Sequence, residues 1–296
     1  MTNEAPRQPD QVVRVAVPGG EVVAYSYGSG EDVLFLINGG PGRASEGIRA
    51  SHAHFADRGW RVVAHDQLGN GASDRPDDMS LWTVKRYVEE VEAVRRALDL
   101  GPVHLLGNSW GGWLGCDYVC TWPRAVKSFI AANPGADMDF HMAELRRLIG
   151  AFGDETLRMV ERHEAEGTID DPEYKAFCTL FYRRHQDRRP TGARWREQAA
   201  GELNFGIQVG LWGPAEFTCT GDLAGWSRLE DLRGFDKPCL VFHGAWDYIT
   251  AKEGALIHQA VAGSEMVVFA NSGHSPVRDE PEAYTATLSA FLERHR

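Results

Sequence analysis

Residues 103–122 of this 296-residue chain read VHLLGNSWGGWLGCDYVCTW, and few folds accommodate that order. VHLLGN is a short, continuously apolar run of the kind buried on both faces in the middle of a sheet, whereas Trp110 to Trp122 fits a helix stopped by Pro123. The chain must turn sharply between the two. Glycines at 107 and 111 remove the side chains that would collide in so abrupt a strand-to-helix turn, and Ser109 is held in a strained backbone conformation with its hydroxyl above the sheet. The helix start also aims backbone N–H groups and the positive end of the helix dipole at incoming negative charge. Ser109 is therefore a candidate nucleophile.

The flanking sequence supplies the sheet that such a turn needs. VVRVAV and EVVAYSY, separated by PGG, predict an antiparallel hairpin; DVLFLI and RVVAHD predict two further strands, and VKSFIAA another after the serine. SLWTVKRYVEEVEAVRRALDL has apolar residues at helical spacing, with Ser80 as the expected N-cap. From about Asp137 to Arg228 the pattern turns to charged amphipathic helices, RMVERHEAEG and AFCTLFYRRHQDRR, with no clear strand. Arg183, Arg184, Arg188 and Arg189 read as a solvated helix face. Alternation resumes with PCLVFHG, AKEGALIHQAV, SEMVVFA and EAYTATLSAFLERH. The expected architecture is α/β: a mostly parallel central sheet flanked by helices and interrupted by a helical insertion, with core segments 1–136 and 229–296 around an insertion at 137–228.

A serine hydroxyl needs a base, and the chain order supplies one. Asp247, in FHGAWDYIT, and His274, in FANSGHSP, each follow one of the last two strands, so Ser109, Asp247 and His274 fall in the order of a Ser–Asp–His hydrolase. The other histidines carry no comparable argument. His52 and His54 are two apart and point to different sides of a helix, and His65 and His243 end strands as satisfied structural residues. There is no HExxH pattern for zinc hydrolysis, and SYGSGED is a turn, not a dinucleotide fingerprint.

Charge and cysteine content narrow the alternatives. A formal charge of -11 argues against a polyanion binder, so nucleic acid is not an expected partner. The start MTNEAPRQPD lacks a secretory pattern and no apolar run is long enough to span a bilayer, which predicts a cytoplasmic protein with no membrane partner. Of five cysteines, Cys116, Cys120 and Cys239 sit in apolar segments and are expected as reduced thiols; Cys116 and Cys120 share a helix face, but no second pair completes a zinc set.

At this point the chain resembles the α/β-hydrolase superfamily and, within it, the proline iminopeptidase family. NGGPG at 38–42, DQLGNGASD at 66–74, GNSWGG at 107–112 and LWGPAEF at 211–217 carry the resemblance, in order along nearly the whole chain. NGGPG is similar to that family's HGGPG, with Asn38 in place of histidine. The resemblance implies an α/β-hydrolase fold with an inserted helical cap and serine hydrolysis without metal or organic cofactor. The N–H groups of Gly40 and Trp110 are the expected oxyanion hole.

The resemblance also implies that acids of the cap bind the substrate's free amino group. One lies in a motif similar to GPNEF, which points to Glu216; Tyr248 stands where some members carry a second acid, and Glu202 in GELNF is the candidate replacement. The expected substrate is a small peptide or aminoacylated small molecule, cleaved after its N-terminal aminoacyl group. Trp212, Trp226 and Phe217 are candidate walls of an apolar pocket, which a carboxylesterase or thioesterase would require instead. A small-molecule receptor on the same fold is a third reading, set against an intact catalytic set.

Overall fold

The computed structural model describes residues 7–186, 188 and 203–296. Eight strands form one sheet: β1 (Gln11–Val17), β2 (Gly20–Tyr27), β3 (Val33–Ile37), β4 (Arg61–Asp66), β5 (Val103–Asn108), β6 (Val126–Ala132), β7 (Cys239–Gly244) and β8 (Glu265–Phe269), in the spatial order β1-β2-β4-β3-β5-β6-β7-β8. β1 and β2 pair antiparallel, as do β2 and β4, and every later pairing is parallel. The mostly parallel sheet expected from the sequence is present, with the hairpin at its edge.

All five residues of β3 are buried, and period-two alternation divides them between two cores. Val33, Phe35 and Ile37 join the cluster shared with helices α2 (Val84–Ala97) and α3 (Trp110–Thr121). Leu34 and Leu36 join the opposite cluster, covered by α1 (Glu46–His52) and the C-terminal helix. Sheet burial on both faces explains why β3, β5 and β7 read as unbroken apolar runs.

Between β6 and β7 the chain forms α4 (Met138–Gly150), α5 (Asp154–Glu166), α6 (Pro172–His185) and α7 (Phe205–Leu211), followed by the short α8 (Leu229–Leu232). Leu145, Ile149, Val160, Tyr174, Phe177 and Phe181 of these helices make a third hydrophobic cluster with Phe217 of the loop after α7. After β7 come α9 (Ala251–Ala260), α10 (Pro276–Asp279) and α11 (Pro281–Arg294). None of the described helices is long and apolar enough to cross a membrane.

Three local expectations need correction. The cap of α2 is Thr83, not Ser80: Thr83 accepts from the Arg86 N–H, while the Ser80 N–H and hydroxyl both turn back to Asp78 Oδ1 in a preceding 3-10 turn. The helix expected over AFCTLFYRRHQDRR ends at His185. Arg183, Arg184 and Arg188 are exposed as expected, although Arg188 lies beyond that helix with its guanidinium 4.0 Å from the Trp246 ring centroid; Arg189 lies outside the described residues. His65 and His243 are only half satisfied: each bonds through one ring nitrogen, to Glu90 and to the Ile249 carbonyl, and leaves the other buried without a partner. All five cysteines are free thiols, and burial pushes Cys116 well up and Cys239 to about 12.

Candidate active site

Ser109 sits between β5 and α3 at φ 56° and ψ −120°, a conformation that L residues rarely adopt. Its neighbours explain how the chain holds it there. A Cβ on Gly107 would stand 2.0 Å from the Gly111 carbonyl oxygen, and one on Gly111 would stand 2.2 Å from that of Ile37. Only bare backbone fits at either place. The Ser109 N–H donates to the Ala132 carbonyl at 2.8 Å, and the Ser109 carbonyl accepts from Gly112 and Trp113, which anchors the turn to β6 and to its own helix.

The loop after β3 lies directly against this turn. A Cβ on Gly39 would approach Ser109 Cβ to 2.9 Å, and Gly40 follows at φ 70°. Asn38 is buried, and its side chain donates to the carbonyls of Gly39 and Arg43, so this residue pins the loop from within. The Trp110 N–H opens α3 among the first-turn groups that an α-helix leaves without an internal partner. Asn204, at the start of α7, clasps two loops at once: its N–H donates to the Gly42 carbonyl and its side chain to that of Gly69.

The loops after β7 and β8 bring the acid and the imidazole together. His274 Nδ1 and Asp247 Oδ1 are 2.8 Å apart, the Ile249 N–H donates to the same oxygen, and Asn133 Nδ2 donates to Oδ2 at 2.6 Å. Asp247 is buried, which alone would raise its pKa; the facing His274 and the His243 side chain outweigh that and hold it at about 2. Ser109 makes no direct hydrogen bond to His274 among the described residues. Its hydroxyl is in polar contact with the Tyr248 phenol, whose ring packs 4.5 Å, centroid to centroid, from the His274 ring.

Tyr248 also connects this cluster to the helical segment. Its ring meets Tyr182 edge-on at 5.7 Å, and the Tyr182 hydroxyl donates to Glu216 Oε2. Burial, then Asp247 and Glu216, push the Tyr248 phenol well above its ordinary range, so it stays protonated. Glu216 is half-buried on a loop braced by Tyr174 and Glu164: the Tyr174 hydroxyl meets the Glu216 N–H, and Glu164 accepts from the Phe217 N–H and the Thr218 hydroxyl.

The other candidates divide. Trp212 stacks on Trp113 at 5.8 Å and gives its indole N–H to the Ala215 carbonyl, while the Trp226 indole donates to Asp117. Phe217 is buried in the third cluster among Tyr174, Phe177 and Phe181. Phe217 is therefore taken up by that cluster, whereas Trp212 and Trp226 are partly buried. Glu202 lies outside the described residues. Asn133, Tyr182, Asn204 and His185 were not singled out from sequence; Asn133, at φ 52° before a proline, carried the clearest signal, because asparagine tolerates left-handed backbone where most residues do not.

The family model described as the alpha/beta hydrolase fold matches residues 32–281. A proline iminopeptidase of Heyndrickxia coagulans is 34% identical over 94% of this chain and 97% of that protein, and one of Lactobacillus delbrueckii subsp. lactis is 31% identical over 88% of this chain and 89% of that protein. Among solved structures, VinJ superposes with a TM-score of 0.89 at 28% identity, covering 97% of this chain and all of that one. The proline iminopeptidase of Mycobacterium smegmatis gives 0.86 at 28% identity, covering 96% of this chain and 98% of that one. With the fold, the serine turn and these relatives in agreement, the chain belongs to the proline iminopeptidase family of α/β hydrolases.

Proposed function

We propose that this hydrolase is a serine aminopeptidase or aminoacyl-amide hydrolase, which removes one N-terminal aminoacyl group from a peptide or small amine through an acyl-enzyme. The observation that carries the reading is a run of contacts from the base to an acid: the Tyr248 ring packs 4.5 Å from the His274 ring and 5.7 Å from that of Tyr182, whose hydroxyl donates to Glu216. The base and an ammonium-binding acid thus share one enclosure.

In this reading Ser109 Oγ attacks the substrate carbonyl carbon while His274 Nε2 takes the hydroxyl proton. Asp247 accepts the Nδ1–H and stabilises the imidazolium, and the N–H groups of Gly40 and Trp110 receive the oxyanion. Collapse of the tetrahedral adduct breaks the C–N bond, and His274 returns its proton to the leaving amine. Water then gives a proton to the imidazole and attacks the Ser109 ester, which releases the free acid and restores the hydroxyl. The missing Ser109–His274 bond fits a resting state, since catalytic hydrogen bonds tighten when substrate fills the site.

Residues 137–228 act as a cap over this site, between core segments 1–136 and 229–296, with the third hydrophobic cluster as the cap's own core. The ammonium of the substrate pairs with Glu216. Tyr248 in place of a second acid suits aminoacyl groups beyond proline. The esterase reading draws on Trp212, Trp226 and Phe217 as walls of an apolar pocket, and the burial of Phe217 in the third cluster removes one of the three.

The test compares alanyl and prolyl amides with their N-acetylated forms, using Ser109→Ala as the blank. Glu216→Gln should lower kcat/KM on free-amine substrates by about 2–5 kcal/mol, the usual consequence of removing one partner of a desolvated charge pair. Equal wild-type rates on free and acetylated substrates would sink amine recognition.

A further inference from the structure

His185, the last residue of α6, is buried, and no step above uses it. It nonetheless touches both loops that carry the acid and the base. Its carbonyl accepts the His274 backbone N–H at 2.8 Å, and its ring Nδ1 lies 2.7 Å from the carbonyl oxygen of Trp246, the residue before Asp247. A carbonyl only accepts, so Nδ1 carries the proton. Burial pulls the imidazole pKa down, which favours the neutral ring with that one N–H.

The surroundings are shaped to this contact. A Cβ on Gly273 would stand 2.5 Å from the His185 carbonyl oxygen, so the residue before the base must be glycine for α6 to reach the loop. On the helix side the ring packs 4.7 Å from Phe181 and 6.4 Å from Phe152, centroid to centroid, which ties it to the third hydrophobic cluster. Asp279 reinforces the junction by accepting from the Gly273 N–H at 2.8 Å and from the Arg188 N–H at 3.2 Å.

We propose that His185 is a positioning residue: acting through the Trp246 carbonyl and the His274 backbone, it fixes the Asp247–His274 pair relative to Ser109 and makes their alignment depend on α6. The inference rests on the reading of His274 as the general base. Its physical basis is that two loops of separate strands are strapped by one side chain and one carbonyl of the same residue, while the bond still to be formed, from Ser109 to His274, is the one such a strap would align. A displacement of about 1 Å at a reacting group costs on the order of a hundredfold in rate.

Two substitutions at 185 separate positioning from packing. His185→Phe keeps an aromatic ring against Phe181 and Phe152 but deletes the N–H; His185→Asn sacrifices the ring but sets an amide N–H near the place of Nδ1. On an alanyl amide, His185→Phe should lower kcat about ten- to a hundredfold with KM nearly unchanged, and His185→Asn should recover most of that loss even though its Tm is lower. Gly273→Ala attacks the same strap from the opposite side; it should lower kcat alike and be less than additive with His185→Phe. A wild-type kcat in His185→Phe, or a ranking of kcat that simply follows Tm, overturns the inference. If His185→Phe does not fold, Gly273→Ala decides: unchanged kcat overturns it as well. Ser109→Ala keeps the two claims apart, because residual activity there removes the serine-hydrolase reading itself, whereas an inactive Ser109→Ala beside a fully active His185→Phe removes only the strap.

Discussion

Asn133 holds Asp247 from behind: its side-chain N–H donates to Oδ2 at 2.6 Å, while its own backbone, at φ 52°, donates to the Phe242 carbonyl. With Oδ1 taken by His274 and the Ile249 N–H, both carboxylate oxygens are engaged. Asn133→Ala leaves one buried carboxylate oxygen unpaired, a loss of about 1–3 kcal/mol. The expected outcome is a fall of about tenfold in kcat/KM on an alanyl amide together with a lower Tm. Unchanged kinetics in a destabilised Asn133→Ala would show that the carboxylate needs no second anchor.

Three carboxylates fix the direction of acid sensitivity. Asp247 is held at about 2 as described, and Glu92 and Glu144 also lie at about 2. Burial opposes the shift of Glu92, but hydrogen bonds from Arg95, Tyr118 and Arg96 outweigh it; for Glu144 the bond from Arg147 dominates, with Lys252 adding to it. A depressed folded-state pKa means stability that is fully present above the ordinary carboxylate range near 4.5 and is lost as pH falls towards 2. Urea midpoints should therefore hold steady above about pH 5 and drop steeply below about pH 4, with a shallower drop in Glu92→Gln. Because Asp247 stays ionised over that range, its own titration is not the acid limb of the rate profile.

The strain at Ser109 yields a prediction of opposite sign for stability and activity. A non-glycine residue at φ 56° and ψ −120° costs about 1–3 kcal/mol, which glycine does not. Ser109→Gly should abolish turnover while raising the unfolding free energy, and Ser109→Ala should abolish turnover without that gain. Chemical denaturation of the two variants side by side measures the difference; equal stabilities would mean that the turn carries no strain that glycine can relieve.

Much of this was legible because local rules and the site coincide. Gly107 and Gly111 announced a turn that the backbone could make only without side chains, and the order Ser109, Asp247, His274 follows from three strand ends. The supporting contacts are of another kind. Asn133 is 114 residues from Asp247, and Tyr182 is 34 from Glu216; nothing in periodicity or composition registers such pairs until packing brings them together. Ser80 was a sound cap candidate by residue type, but Asp78 competes for its N–H and hydroxyl and leaves the role to Thr83. Phe217 reads as a pocket wall because an apolar residue near a site carries no mark of which core it serves.

Tyr182 offers a milder version of the Glu216 test. Its hydroxyl donates to Glu216 Oε2 beside a half-buried aromatic layer formed with Tyr248 and Phe217. Tyr182→Phe retains the ring and the carboxylate but removes that donor, so Glu216 keeps its charge and loses its orientation. KM for free-amine substrates should rise about tenfold or somewhat more with kcat little changed, since one hydrogen bond to a charged group contributes about 1.5 kcal/mol or somewhat more. A change confined to kcat would assign Tyr182 to the chemistry and not to amine binding.

The Tyr248 phenol lies on the Ser109 side of His274. Its ring packs on the imidazole, and a phenol beside the Ser109 hydroxyl draws on the same group that His274 must deprotonate. Tyr248→Phe deletes the competitor and leaves the ring packing against His274 and Tyr182. A small neutral phosphonate, which has no ammonium group to seek Glu216, should then label Ser109 about threefold faster, in line with the loss of one weak polar contact. A slower reaction would instead mean that the phenol helps to orient the serine, and the resting contact would have to be counted as part of the catalytic arrangement.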